Sequence, residues 1–349
     1  MDGPLIWARR LATSPLVFIG PDQPGWPLGP ADQLAGHLAA QPAWSLVFVT
    51  ASLENDARRE AAAAAWRRHR AAFPAHRVVF LCNSERELFL MQRDGVAAIL
   101  CNHNIVANDA VFTVDRTVPK RFDAIYNGRM MAYKRHALAR AVGSVALVYY
   151  DAEVEPGYLD GVRAALPHAA FLNAEAARAA PARPRHARAA ALANRLLGAR
   201  GYVKLPPPEV ARALNAARVG LCLSAEEGAM VASLEYLLCG LPVVSTRSIG
   251  GREFFFDPEH TIVADDEPGA IAAAVAELVR RDLDPAEVRA RALWKLRHER
   301  AKFAAFVRAI AGEAGVEPRF DHPLERLFAE SLMVRTPIAR LLAPAGAAP

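Results

Sequence analysis

Cysteine and long apolar runs are scarce in this sequence of 349 residues. Its four cysteines lie far apart, inside or beside apolar runs, and form no Cys-x-x-Cys pair: Cys82, Cys101, Cys222 and Cys239. This pattern argues against a disulfide framework or a zinc site and predicts buried free thiols in a reducing cytosol. No apolar run approaches the roughly 20 residues that span a bilayer. The first residues, Met1 to Pro4, also lack the basic and then apolar layout of a signal peptide. We therefore expect a cytoplasmic protein.

The composition is that of a globular protein with a basic balance. Apolar residues make up 53% and charged residues 23%, the net charge is +5, and the length suits two domains. Arginines form two groups: Arg67, Arg68, Arg70 and Arg77, and then Arg178, Arg183, Arg185, Arg188, Arg195 and Arg200. No aromatic residues interleave with the second group, so no nucleic-acid partner is expected. A solvated helix face is one interpretation of these groups, and peripheral contact with an anionic membrane surface at the inner face of the cytoplasmic membrane is the alternative.

Short β-branched runs alternate with longer helical patterns, which predicts parallel sheets with crossover helices. The first third contains predicted strands at 16–19, 46–49, 78–81 and 97–100 and predicted helices at 31–40, 54–73 and 85–94. After a polar stretch at 115–120, the pattern restarts. Strands are predicted at 124–126, 145–149, 169–172, 202–204, 219–223, 242–245 and 261–263, and helices at 134–142, 208–217 and 268–280.

The alternation predicts an α/β protein with two domains, 1–118 with an abbreviated sheet and 122–283. Amphipathic helical patterns at 284–310 and 324–342 form a C-terminal region, 284–349, that we expect to pack back toward the N-terminal domain. Two such sheets in series place a ligand site in the cleft between them, outside the carboxyl ends of their strands.

The segment 224–235 joins a strand, an acidic loop and a helix start. A helix start has unpaired N–H groups and a partial positive charge, which favours a bound phosphate. Glu235 lies at the margin of the apolar face of this helix, where a carboxylate is costly unless it is hydrogen-bonded. Ribose hydroxyls would supply those bonds. At most about 12 Å separates Glu235 from Glu227 along a helix, so the two could bracket a nucleotide-sugar. A solvated pair of glutamates at a helix start is the alternative.

A second motif lies at the start of the second sheet, where a predicted strand ends at Gly128. Arg129 and Lys134 follow, five positions apart. Glycine allows close backbone approach, and the two cations suit phosphate oxygens. The alternative is an ordinary pair of surface cations.

Together and in this order, the motifs resemble the donor-binding domain of retaining glycosyltransferases with the GT-B fold, of the glycosyltransferase family 4 type (glycosyl transferases group 1). Four blocks over roughly 122–279 carry the resemblance: Gly128-Arg129 with Lys134, the segment 224–235, the segment 239–246, and Gly250-Gly251-Arg252-Glu253 before Asp257. The resemblance implies two Rossmann-like parallel-sheet domains that face each other across a cleft.

The resemblance also implies roles for individual residues. Arg129 and Lys134 would neutralise the donor diphosphate and Glu227 would contact the transferred sugar, which makes these three the catalytic residues. Glu235 would bind the ribose. The remaining donor-binding residues would be Gly128, Gly228, Ala229, Met230 and Val231 around the sugar and phosphates, and Val203 and Lys204 beside the base.

The implied reaction is transfer of a hexosyl-type sugar from a UDP- or GDP-sugar co-substrate to an acceptor hydroxyl, with retention of anomeric configuration. No cofactor is implied, and without an Asp-x-Asp clamp no metal is expected. The implied acceptor is a glycan or lipid-linked glycan in bacterial polysaccharide assembly. Two alternatives stay open: a catalytically weak nucleotide-sugar-binding paralogue or partner subunit, and a sugar-nucleotide epimerase.

The first half of the chain departs from the family pattern. Cys101-Asn102-His103-Asn104 occupies the place where the family often has Pro-Asn-Gly. Because His103 follows a strand end that faces the cleft, His103 and Asn104 are the candidates for acceptor contact, and a turn-capping role is the alternative.

Overall fold

The computed structural model describes residues 4–179, 202–313, 319–320, 328 and 334–344. Outside these residues lie the arginines of the second group from Arg183 to Arg200, residues 324–327 and 329–333 of the predicted helix at 324–342, and 345–349. The described end of that predicted helix is instead a strand at Arg335–Pro337 followed by a short helix at Ile338–Leu342.

The strands are β1 (Leu5–Trp7), β2 (Arg9–Ser14), β3 (Leu16–Pro21), β4 (Ala43–Phe48), β5 (His76–Cys82), β6 (Ala98–Leu100), β7 (Phe122–Arg129), β8 (Val145–Tyr150), β9 (Ala170–Phe171), β10 (Ala217–Cys222), β11 (Val243–Thr246), β12 (Thr261–Ala264), β13 (Arg319–Phe320) and β14 (Arg335–Pro337). The α-helices are α1 (Pro30–Leu38), α2 (Asp56–Ala72), α3 (Glu85–Arg93), α4 (Tyr158–Ala165), α5 (Leu172–Ala179), α6 (Pro207–Asn215), α7 (Val231–Leu238), α8 (Pro268–Arg281), α9 (Pro285–Glu313) and α10 (Ile338–Leu342).

The N-terminal sheet has the order β13-β2-β3-β4-β5-β6. Strands β3 to β6 are parallel and correspond to the four predicted strands. The antiparallel β2 and β13 were not predicted from the sequence, and they extend this sheet beyond the abbreviated form expected. Strand β14 pairs with β1 in a separate two-stranded ribbon, which joins the first and last strands of the chain.

The C-terminal sheet is parallel, with the order β12-β11-β10-β7-β8-β9. The chain enters at β7, builds outward through β8 and β9, and returns to the other side of β7 with β10. The point between β7 and β10 is therefore the topological switch point of the sheet, where ligands bind in open α/β folds.

Helix starts shape the loops at the carboxyl ends of the N-terminal strands. Ser84 caps α3 by accepting a hydrogen bond from the Glu87 N–H at 3.1 Å. The buried Glu87 carboxylate then accepts from the N–H groups of Leu53 at 3.0 Å and Asn83 at 2.7 Å. One carboxylate thus fixes the loops after both β4 and β5.

Two local predictions in the C-terminal domain are wrong. Residues 202–204 form no strand. Instead, the Val203 N–H donates to the Asn173 carbonyl at 3.3 Å, and Asn173 Nδ2 donates to the Val203 carbonyl at 2.7 Å. The predicted helix at 134–142 is two short 3-10 helices, Ala132–Lys134 and His136–Ala141. Arg135 separates them in the left-handed region, at φ 54°, which ends a right-handed helix.

The cores confirm the burial expected of the thiols, because all four cysteines are free and buried. In the described ranges, no helix combines the length and apolar character that crossing a membrane requires.

Candidate active site

The predicted diphosphate and sugar residues meet at the switch point. Arg129 is the last residue of β7, and Lys134 follows in the 3-10 helix. The loop after β10 carries Ser224 and Glu227, and it leads to α7 with Glu235.

Lys134 and Glu227 form a buried ion pair between the Nζ and Oε1 atoms, with 5% and 9% of their side chains exposed. Ser224 donates its hydroxyl to the same Glu227 oxygen at 2.5 Å. Tyr126 on β7 fixes the main chain at Lys134, since its hydroxyl donates to the Lys134 carbonyl at 2.7 Å. A buried pair depends on such additional hydrogen bonds, because removing its charges from water is costly.

Arg252, which the sequence analysis placed only within a family block, supports this pair. Its side chain is fully buried and donates to the Ser224 carbonyl at 2.6 Å and to the Thr246 carbonyl. It therefore holds the loop that presents Ser224 and Glu227. Its position at the end of a glycine pair gave no sign of this burial.

Arg129 is the open cation of the site, with 51% of its side chain exposed. Its Nε lies 3.0 Å from Asp151 Oδ2, across the end of β8. An exposed ion pair of this kind is weak, so little free energy holds the guanidinium to Asp151.

Glu235 lies beside the end of β7, where Asn127 Nδ2 donates to it at 3.2 Å. The hydroxyl of its neighbour Tyr236 accepts a hydrogen bond from the Asn127 N–H at 2.6 Å. The Tyr236 ring occupies the space that a side chain at Gly220 would need, which seats α7 on the sheet. Burial raises the pKa of Glu235 to about 7, because the hydrogen bond from Asn127 offsets only part of the cost of burying the charge.

The predicted base-side residues lie next to this group. The Lys204 ammonium is 5.1 Å from the centre of the Tyr150 ring. Tyr150 ends β8 in register with Arg129 on β7, and burial raises the pKa of its hydroxyl to about 12. The structure thus places Val203 and Lys204 on the β8 side of the site.

Loops of the N-terminal domain close over the donor side. A Cβ atom at Gly228 would lie 2.7 Å from the Thr50 carbonyl oxygen, so only glycine fits there without a shift. At Gly250, with φ 98°, a Cβ would overlap the Glu227 carbonyl, and at Gly251 it would overlap Asn83. An ion pair between Arg58 and Glu226 adds to this contact.

The two acceptor-side candidates have different surroundings. His103 is buried and stacks on Phe48 with ring centroids 4.7 Å apart, and burial lowers its pKa to about 4. Its Nε2 has no hydrogen-bond partner among the described residues. Asn104 reaches the other domain and donates to the carbonyl of Ala229 at 2.9 Å.

Within the described part of the chain, no cluster of three or more His, Cys, Asp or Glu residues is arranged to hold a metal ion. Metal independence stays a prediction.

Residues 175–281 match the model of a family described as glycosyl transferases group 1. No curated protein matches the chain by sequence. Three similar solved structures are HepE of Anabaena in complex with UDP, the pneumococcal O-GlcNAc transferase GtfA with UDP and GlcNAc, and an α,α-trehalose-phosphate synthase of Burkholderia vietnamiensis.

HepE has a TM-score of 0.52 and 13% identity over 82% of this chain and 85% of its own. GtfA has a TM-score of 0.49 and 12% identity over 79% of this chain and 53% of its own. The synthase has a TM-score of 0.46 and 14% identity over 82% of this chain and 76% of its own. This chain therefore spans about half the length of the pneumococcal protein. The predicted GT-B fold is confirmed, and so is the resemblance to group 1 glycosyl transferases at the level of the family.

Proposed function

From this match to group 1 glycosyl transferases, we propose that the protein is a glycosyltransferase that moves a sugar from a nucleotide-diphosphate sugar to an acceptor hydroxyl. The observation that carries the proposal is the buried Lys134–Glu227 pair at the switch point, together with Arg129 at the end of β7 and Glu235 bound to Asn127 on the same strand. This arrangement offers two cations for a diphosphate, a carboxylate for the sugar and a second carboxylate for the ribose.

The reaction we propose retains the anomeric configuration. The bond between the anomeric carbon and the phosphate oxygen breaks, and its electron pair stays on that oxygen. The acceptor oxygen attacks the same face of the sugar, and its proton passes to the departing phosphate oxygen. Lys134 and Arg129 stabilise the charge that develops on the diphosphate, which supplies most of the rate. We further propose that the donor carries a hexosyl group, that the reaction needs no metal, and that the acceptor is a bacterial glycan or polysaccharide. For lipid-linked acceptors, the protein would contact the membrane surface peripherally.

Release of nucleoside diphosphate tests the function directly. The purified protein is incubated with a panel of UDP- and GDP-sugars, with and without glycan acceptors, and with and without EDTA. We expect acceptor-dependent release of UDP or GDP that EDTA does not abolish. Binding without turnover across the panel would instead support the weak paralogue or partner subunit, and a new epimer in place of a glycoside would support the epimerase.

Glu235 makes donor binding sensitive to pH. The pKa of its carboxyl is raised to about 7, so the carboxylate that accepts ribose hydroxyls forms as the pH rises through 7. We expect the affinity for UDP or GDP, whichever binds, to rise by about 10-fold between pH 6 and pH 8, in proportion to the ionised fraction. Calorimetric titrations at both pH values measure this.

The Glu235→Gln variant is the control, since glutamine keeps the shape of the side chain and cannot ionise. Glu87, whose pKa burial also raises to about 7, is unchanged in this variant. It should bind nucleotide weakly and with little dependence on pH. An equal pH dependence in the variant would remove Glu235 from the ribose site.

A further inference from the structure

Met230, the residue before α7, has an unusual backbone. Its φ of 52° and ψ of 80° lie in the left-handed region, which is uncommon for a residue other than glycine, asparagine or aspartate. Such a conformation persists only where surrounding contacts hold it, and it is frequent at ligand sites. Met230 lies within the loop 228–231, which the resemblance places around the sugar and phosphates of the donor.

Asn104 of the N-terminal domain contacts this backbone from across the domain boundary, in addition to the Ser233 N–H, which donates to the Met230 carbonyl at 2.9 Å. Its Nδ2 donates to the Ala229 carbonyl at 2.9 Å and lies 3.4 Å from the Met230 carbonyl and 3.3 Å from Ser233 Oγ. The side chain is fully buried. Both carbonyls that flank the left-handed turn are therefore bound by one amide group from the other domain.

Asn104 is itself rigidly placed. Its N–H donates to Asn102 Oδ1 at 2.9 Å. Asn102 Nδ2 donates to the carbonyls of Asn83 and of Gly251, both at 2.8 Å. The Asn83 N–H in turn donates to the Glu87 carboxylate on α3. A continuous path of hydrogen bonds therefore leads from α3 to the donor loop.

We infer that Asn104 is a positioning residue of the proposed donor site, which holds Met230 in its left-handed conformation and so aims the loop 228–231 at the sugar and diphosphate. The inference rests on the proposed function. Its consequence is that the donor domain binds nucleotide well only while the N-terminal domain is seated on it. Asn104 Oδ1 is buried and has no hydrogen-bond partner among the described residues.

Replacing Asn104 by alanine in the full-length protein tests the inference, with UDP and GDP as calorimetric probes. We expect affinity for the nucleotide that binds the wild type to fall by about 10-fold, the effect of one or two lost hydrogen bonds. In a Met230→Gly background the left-handed backbone costs little, so the same replacement should weaken binding by less than about 3-fold. Asn104→Ser, whose side chain is too short to reach the Ala229 carbonyl, replaces the alanine variant if that one does not fold.

Asn215→Ala is the matched control. Asn215 is also buried and donates to the Thr113 carbonyl at 2.9 Å, a contact at the amino end of β10, opposite the carboxyl end that leads to the donor loop. It should lower the melting temperature without changing nucleotide affinity. Wild-type affinity in Asn104→Ala, or an equal loss in both Met230 backgrounds, would overturn the inference and leave the proposed function intact. Failure of the wild type to bind any UDP, GDP or nucleotide-sugar would overturn the proposed function, and the inference with it.

Discussion

Lys134→Met is expected to lower kcat/KM for sugar transfer by about 100- to 1,000-fold, the usual effect of removing one group that stabilises transition-state charge. Methionine keeps the length and the apolar stem of the side chain and removes the ammonium. The diphosphate then departs without the cation that the 3-10 helix presents beside Glu227. Steady-state rates of nucleoside diphosphate release measure the change.

A structural effect accompanies this change, because the variant leaves Glu227 buried without its counter-charge. Breaking a buried pair costs about 3–5 kcal/mol, and urea unfolding should show a loss of this order. The double variant Lys134→Met/Glu227→Gln removes both charges and should regain stability without regaining transfer. If the double variant regained both stability and transfer activity, Lys134 would have a structural role and no role in catalysis. Lys302→Met, in the pair with Glu299 on α9, is the control that should keep full activity.

Gly228→Ala should lower kcat/KM by about 10- to 100-fold while the protein stays folded. The added methyl group would lie 2.7 Å from the Thr50 carbonyl oxygen and 3.2 Å from that of Val49. Either the donor loop or the N-terminal loop must move, and a shift near 1 Å at a reacting centre costs about 100-fold. The strain itself is expected to cost about 1–3 kcal/mol of stability. Rate measurements and thermal unfolding on one preparation separate the two effects.

Gly161→Ala provides the matched control for that prediction. Gly161 lies within α4, and a Cβ atom there meets nothing within 4 Å. Alanine should stabilise this helix by about 0.5–1 kcal/mol and leave transfer unchanged. A Gly228→Ala enzyme as active as Gly161→Ala would show that the two domains need not approach as closely as they do here.

The sequence predicted the C-terminal domain well because its signals are local. The strand before Gly128, the acidic loop at 224–227 and the helix with Glu235 each have short-range patterns that tertiary packing did not override. The predicted strand at 202–204 failed since the main chain of Val203 hydrogen-bonds to one residue, Asn173, through its carbonyl and its side chain, rather than to a neighbouring strand. The helix predicted at 134–142 failed at Arg135, whose guanidinium donates to the Leu223 carbonyl at 2.6 Å and binds Asp266.

The N-terminal half was harder to predict because its main features depend on distant partners. Strand β2 pairs with β3 and with β13, which follows some 300 residues later. The contact between Asn104 and Ala229 joins positions 125 residues apart. No local pattern around His103 and Asn104 distinguishes a residue that faces the acceptor from one that supports the neighbouring domain.

The pairing of β13 and β14 with β2 and β1 has a consequence for synthesis of the chain. The N-terminal sheet is translated first, yet its outer strand β2 stays unpaired on one side until Arg319 and Phe320 emerge from the ribosome. An open strand edge is a template for association with other chains, and pairing over such a sequence separation is slow. A fragment that stops near residue 118 would carry this bare edge permanently. Soluble expression of the N-terminal domain therefore calls for the segment from β13 to β14, fused by a short linker to the N-terminal residues.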